Sequence, residues 1–85
     1  MKFDEIWNII KEFEGEEFRT QSGLKLTYSV LGDYLKPSRT NYKISKNDFK
    51  KAFDLMPLSG PKEINDICRG PAYIYAILTD KRICN

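Results

Sequence analysis

The side chains best suited to act on a partner are concentrated between Tyr34 and Lys51. Lys36, Arg39, Lys43, Lys46, Lys50 and Lys51 fall in this window with Asp48 as the single acid. Ser38, Thr40 and Asn41 add short hydrogen-bonding groups, and Tyr34 and Tyr42 add rings. Nucleic acid is bound with this chemistry: cations that release counterions, small polar groups that reach phosphate oxygens, and rings that stack on unpaired bases. The expected contacts are Lys36, Arg39, Lys43, Lys46, Lys50 and Lys51, with Asn41 and Tyr42 as secondary members.

Lys46 and Lys50 are four residues apart, so on a helix they share one side, while Phe49 and Phe53 take another. A helix beginning at Ser45 would also present free backbone N–H groups to an anion. The expectation is a basic strip that crosses a loop and the following helix, unshielded by acids. Neutralising about four to six phosphates of a duplex would give a log affinity–log salt slope of about −3.5 to −5.5. The competing reading is a solvated lysine face, with Tyr34 and Tyr42 packed on the sheet.

Residue types argue against most active sites. The chain has no histidine, which removes the commonest general base and metal ligand. Its five glycines are isolated, so no phosphate-cradling loop of the usual kinds is present. Glu16 and Glu17 are adjacent, and in a strand they point to opposite faces. Glu17-Phe18-Arg19 has the acid-x-base alternation of a metal-dependent nuclease strand, but the upstream Asp is missing and Arg stands where Lys is wanted. Alternation with Phe18 makes Glu17 and Arg19 a solvated strand face. No catalytic residue, metal or cofactor is expected.

The elements that must position these residues can be read from periodicity. Phe3, Ile6, Trp7, Ile10 and Phe13 make one apolar face of a helix over about residues 3–14, stopped by Gly15. Strands follow at Glu17–Thr20, Leu24–Leu31 and Tyr34–Lys36, with turns at Gln21-Ser22-Gly23 and Gly32-Asp33. In the second strand Leu24, Leu26, Tyr28 and Val30 share one face, and Lys25, Thr27 and Ser29 the other. Pro37 argues against continuing the third as a central strand, and residues 40–44 read as extended.

Ser45 caps a second helix whose buried face is Phe49, Ala52, Phe53 and Met56, ending at Pro57. Pro61 opens a short third helix with Ile64, Ile67 and Cys68, and Pro71 opens a last one with Ile74, Ile77 and Leu78 inward. The predicted fold is α+β: an N-terminal helix, a three-stranded antiparallel meander, then three short C-terminal helices. A helix-turn-helix around Gly70 fits poorly, because Asp66 falls where a small residue is wanted and Ala72–Thr79 carries no cation.

Eighty-five residues support one domain, spanning 1–85, with little core to hollow into a deep pocket. Apolar residues at 41% favour a folded globule. Net charge is +2, but residues 1–36 hold seven acids and five bases, and residues 37–85 five acids and nine bases. Cys68 and Cys84 fit no metal spacing and read as reduced thiols of a cytoplasmic protein. No signal peptide is read at the start, and no run approaches the roughly 20 apolar residues of a membrane span.

The segment Tyr73–Leu78 has no charge, so it is either the central core helix or a homodimer seam. Three functional readings follow. The first is a small non-catalytic module that binds nucleic acid or another polyanion through the basic loop–helix face. The second is a protein–protein module with an acidic partner, such as an accessory or inhibitor protein of a mobile element. The third is a metal-dependent nuclease.

Overall fold

The computed structural model describes residues 2–84. The end residues of the expected domain, Met1 and Asn85, lie outside the described residues. Helix α1 spans Phe3–Glu12 and buries Phe3, Ile6, Trp7 and Ile10, the face expected from their spacing. It stops two residues short of the predicted end, and Phe13 packs at the core margin.

The strands are arranged differently from a single meander. β1 (Phe18–Arg19) and β2 (Lys25–Leu26) form a separate two-stranded hairpin, with Phe18 opposite Leu26 and Arg19 opposite Lys25. β3 (Tyr28–Leu31), β4 (Tyr34–Pro37) and β5 (Ile44–Ser45) form the three-stranded antiparallel sheet, in that order. The predicted long strand Leu24–Leu31 is therefore two strands. Its ladder breaks at Thr27, whose N–H is diverted to the Ser38 hydroxyl and whose carbonyl accepts from Ser38 N–H at 2.8 Å. Leu24, expected on the buried face, is exposed in the hairpin turn.

Pro37 sits at the end of the central strand, which the sequence argument disfavoured. The geometry removes the objection. Ser38 N–H points toward β3, so strand alternation aims the Pro37 nitrogen at the opposite edge. There β5 pairs only with Tyr34 and Leu35, so no ladder bond is lost.

Helix α2 (Lys46–Asp54) starts as expected: the Ser45 hydroxyl accepts from Asp48 N–H at 3.1 Å. Pro61–Ile64 is a single 3-10 turn rather than an α-helix, and helix α3 covers Pro71–Leu78. A four-residue 3-10 turn leaves no first helix for a helix-turn-helix. Of the Tyr73–Leu78 segment, Ile74, Ala76, Ile77 and Leu78 are buried, and Tyr73 and Tyr75 remain partly exposed. The segment thus lies largely inside the fold. The buried side chains form one cluster drawn from all three helices and both sheets, with Leu35, Ile44, Phe49, Ile64, Ile74 and Ile77 fully shielded. No helix among the described residues is long and apolar enough to cross a membrane.

Gly70 joins the 3-10 region to α3 in the left-handed conformation, at φ 64°. A Cβ here would lie 2.7 Å from Ile44 Cδ1 and 3.2 Å from the Tyr42 hydroxyl. Strain of about 1–2 kcal/mol from the backbone adds to an overpacking cost of about 1–3 kcal/mol. Gly70→Ala should therefore lower unfolding free energy by about 2–5 kcal/mol in urea titrations, whereas Ser45→Ala should cost about 1 kcal/mol as a lost cap.

Candidate nucleic-acid interface

Leu35 and Ile44 face each other across β4 and β5 and are fully buried. Because strand side chains alternate, their neighbours Tyr34, Lys36, Lys43 and Ser45 turn to the outer face. Across the β3–β4 pair the same face receives Ser29 opposite Lys36 and Leu31 opposite Tyr34. Tyr34 is 49% and Leu31 55% exposed, side by side at the β3–β4 turn. Lys43 Nζ stands 5.9 Å from the Tyr34 ring centroid. Tyr34, read as a packing residue in one interpretation of the sequence, is instead an open aromatic surface.

Lys36 is partly buried and crosslinks its own chain. Its Nζ donates to the Thr40 carbonyl at 2.9 Å and approaches that of Pro37 at 3.5 Å, closing the turn after β4. A polar hollow of about 180 Å³ lies beside it, lined by Thr27, Ser29 and Ser38 among others. Arg39 is exposed on that turn and donates Nη1 to the Lys25 carbonyl at 3.2 Å. This brings Arg39 next to Lys25, which faces Arg19 across the hairpin. The acid nearest these three cations is Glu17, 3.7 Å from Arg19.

The helix lysines are more shielded than the strip hypothesis expected. Lys46 reaches Asp4 of α1 at 3.5 Å and lies over the Trp7 ring at 6.0 Å. Lys50 pairs with Asp54 at 3.1 Å, and Lys51 with Asp48 at 3.7 Å. These acids lie a helical turn away or on another element, so a linear count of the window could include only Asp48. Asp4 and Asp54 are solvent-exposed, however, and exposed pairs contribute only about 0–1 kcal/mol. A phosphate can exchange for Asp4 and Asp54 at little cost.

The eight expected residues therefore do not make one strip. Lys36 and Lys43 share the outer sheet face with Tyr34. Lys46 and Lys50 border a cavity that Tyr34 also lines. Tyr42 and Lys51 turn away from this side toward Arg69. The Arg69 guanidinium stacks 4.7 Å from the Tyr42 ring, and Arg69 N–H donates to Asp48, the partner of Lys51. Burial raises the Tyr42 hydroxyl pKa, with Tyr73 adding to the shift and Arg69 opposing it. Asn41 is exposed on the loop between these regions.

Sequence reasoning missed Lys25, Arg19 and Leu31 as members of the surface. The signal was present in the strand alternation, which set Lys25, Thr27 and Ser29 on the face opposite the core. Glu17 and Arg19 are exposed, as read, and the structure pairs them at 3.7 Å. No group of three or more acidic, Cys or His side chains arranged to hold a metal ion occurs among the described residues. Cys68 and Cys84 are free thiols, both with pKa raised, chiefly by burial. Protein-family models, characterised proteins and solved structures provide no match to the chain.

Arg82, the most heavily engaged cation, belongs to the scaffold. It stacks 4.1 Å from the Phe18 ring, donates to the Glu17 carbonyl at 2.8 Å and pairs with Asp80 at 2.9 Å. Its hydrogen bonds hold the Asp80 carboxyl below the usual range. A depressed carboxyl contributes stability above its unfolded pKa and loses it as pH falls through the folded value. Arg82→Ala should cost about 1–2 kcal/mol through lost packing and hydrogen bonds and flatten this acid dependence in thermal melts. It should leave oligonucleotide affinity unchanged.

Proposed function

We propose that this chain is a non-catalytic module that binds single-stranded nucleic acid across the outer face of its three-stranded sheet. The observation that carries the reading is the open Tyr34 ring beside Leu31, with Lys43 over it and Lys36 on the same face. An exposed ring on a sheet surface stacks on a base only when that base is free of its duplex. Arg39, Lys25 and Arg19 continue the charge past the end of β4. From Tyr34 to Ser38 the track runs about 13 Å at strand rise.

A duplex reader is supported less well. α3 is largely buried and carries no cation, so it offers no charged helix face to a groove. The second reading, an acidic protein partner, draws on the same Leu31–Tyr34 surface, where an exposed apolar pair is ringed by cations. Mixed oligonucleotides that fail to displace such a partner would favour it over the first.

The test is fluorescence anisotropy with a labelled mixed-sequence single strand and its duplex. The single strand should bind more tightly than the duplex. With three to four phosphates neutralised, its log affinity should fall with log salt at a slope of about −2 to −3. Tyr34→Ala should weaken binding by about 1–3 kcal/mol, and Arg39→Ala should make the salt slope shallower by about 0.7. Lys51→Ala, on the far side of α2, should change neither. A salt-independent signal, or equal affinity of wild type and Tyr34→Ala, rejects the reading.

A further inference from the structure

We infer that the cavity beside Tyr34 is a nucleobase pocket that favours guanine, an inference that rests on the nucleic-acid reading and deepens it. The cavity has a volume of about 400 Å³ and opens where the start of α1, the β3–β4 turn and the start of α2 meet. That is near the lower end of ligand pockets, room for one base and its sugar rather than a larger ligand. Phe3 and Tyr34 line it with rings, Asp33 and Asn47 with hydrogen-bonding groups, and Lys46 and Lys50 with cations.

The polar groups differ in how they are engaged. Lys46 and Lys50 are held by exposed carboxylates, Asp4 and Asp54. The Asp33 side chain has no hydrogen-bond or ion-pair partner among the described residues. Its backbone carbonyl alone is used, accepting from Lys46 N–H at 2.7 Å. The Asn47 carboxamide and Tyr34 hydroxyl are likewise unpaired among the described residues. The cavity therefore offers an acceptor-only carboxylate, an adaptable amide and a stacking ring.

The four bases answer a carboxylate differently. Guanine presents N1–H and a 2-amino N–H side by side on its Watson–Crick edge, and the two carboxylate oxygens accept both. Adenine N1 and cytosine N3 set a lone pair against it. Uracil and thymine flank their one N–H with two carbonyls. Recognition through that edge is available only to an unpaired base, in keeping with a single-stranded ligand. With the ring stacked on Tyr34, a phosphate can displace the weakly held Asp4 and Asp54 carboxylates from Lys46 and Lys50.

The experiment titrates GMP, AMP, CMP and UMP into the 85-residue chain and follows Tyr34 and Asn47 resonances by NMR. A mixed-sequence single strand is measured in parallel by anisotropy. GMP should bind about tenfold more tightly than the others. Asp33→Asn keeps the backbone carbonyl that Lys46 uses, so the fold persists; it should erase the preference, bringing GMP to the affinity of the other three nucleotides. Tyr34→Leu should weaken all four nucleotides alike. Equal affinities for the four, no nucleotide binding, or a guanine preference that survives Asp33→Asn overturns the pocket. If the mixed strand also binds in those cases, the strand-binding reading stands without it. An Asp33-dependent guanine preference with no strand binding upholds the pocket and rejects the sheet surface as a track.

Discussion

The burial of Leu35 against Ile44 across β4 and β5 is the contact on which the outer face of the sheet depends. Both side chains are fully shielded, and they share the core with Phe49 from α2 and Ile74 from α3. Because strand residues alternate between faces, placing this pair inward drives Tyr34, Lys36, Lys43 and Ser45 outward together. A one-residue slip of β5 would bury a lysine and expose an isoleucine. The same close packing sets the position of α3, since Gly70 passes against Ile44 where no Cβ fits. The register that builds the core is thus also the register that assembles the outer ring and cations.

Charge in this protein divides between scaffold and surface. Arg82 joins the chain's last described turn to β1 and covers Phe18 and Phe13 with its guanidinium. Arg69 does comparable work on Tyr42. Lys36 closes the turn that presents Arg39. Such side chains act through their apolar stems and fixed hydrogen bonds, so they count toward net charge but are not all free for a ligand. The α2 lysines are intermediate, paired but in water, where exchange of partners costs little.

The fold shows which signals survive translation into three dimensions. The amphipathic stripe of α1, the Ser45 cap, the start of α3 at Pro71 and the β3–β4 turn were legible because each is decided within a few residues. The division of the strands was not. Thr27 looks like one more alternating position, and only the approach of Ser38 draws its N–H and carbonyl out of a continuous ladder. The third strand of the sheet is likewise Ile44–Ser45 rather than Glu17–Thr20, because pairing depends on which edge the core brings near. Among the proposed contacts, Lys36, Lys43, Lys46 and Lys50 gather around Tyr34, while Tyr42 and Lys51 do not.

By itself, then, the sequence determined an α+β chain rich in local turn and cap signals, with six of its fourteen cations in one window and no histidine. Its alternation already separated Lys25, Thr27 and Ser29 from the core side of their strand. What only the tertiary structure decided is which cations meet one another and which meet an acid. Asp4 and Lys46 are separated by all five strands in sequence and by 3.5 Å in space. Lys25 and Arg39, fourteen residues apart, are joined by a hydrogen bond from the Arg39 guanidinium to the Lys25 carbonyl. Periodicity reports the face a residue occupies on its own element. The neighbours of that face are set by how the elements pack, and electrostatics depends on those neighbours.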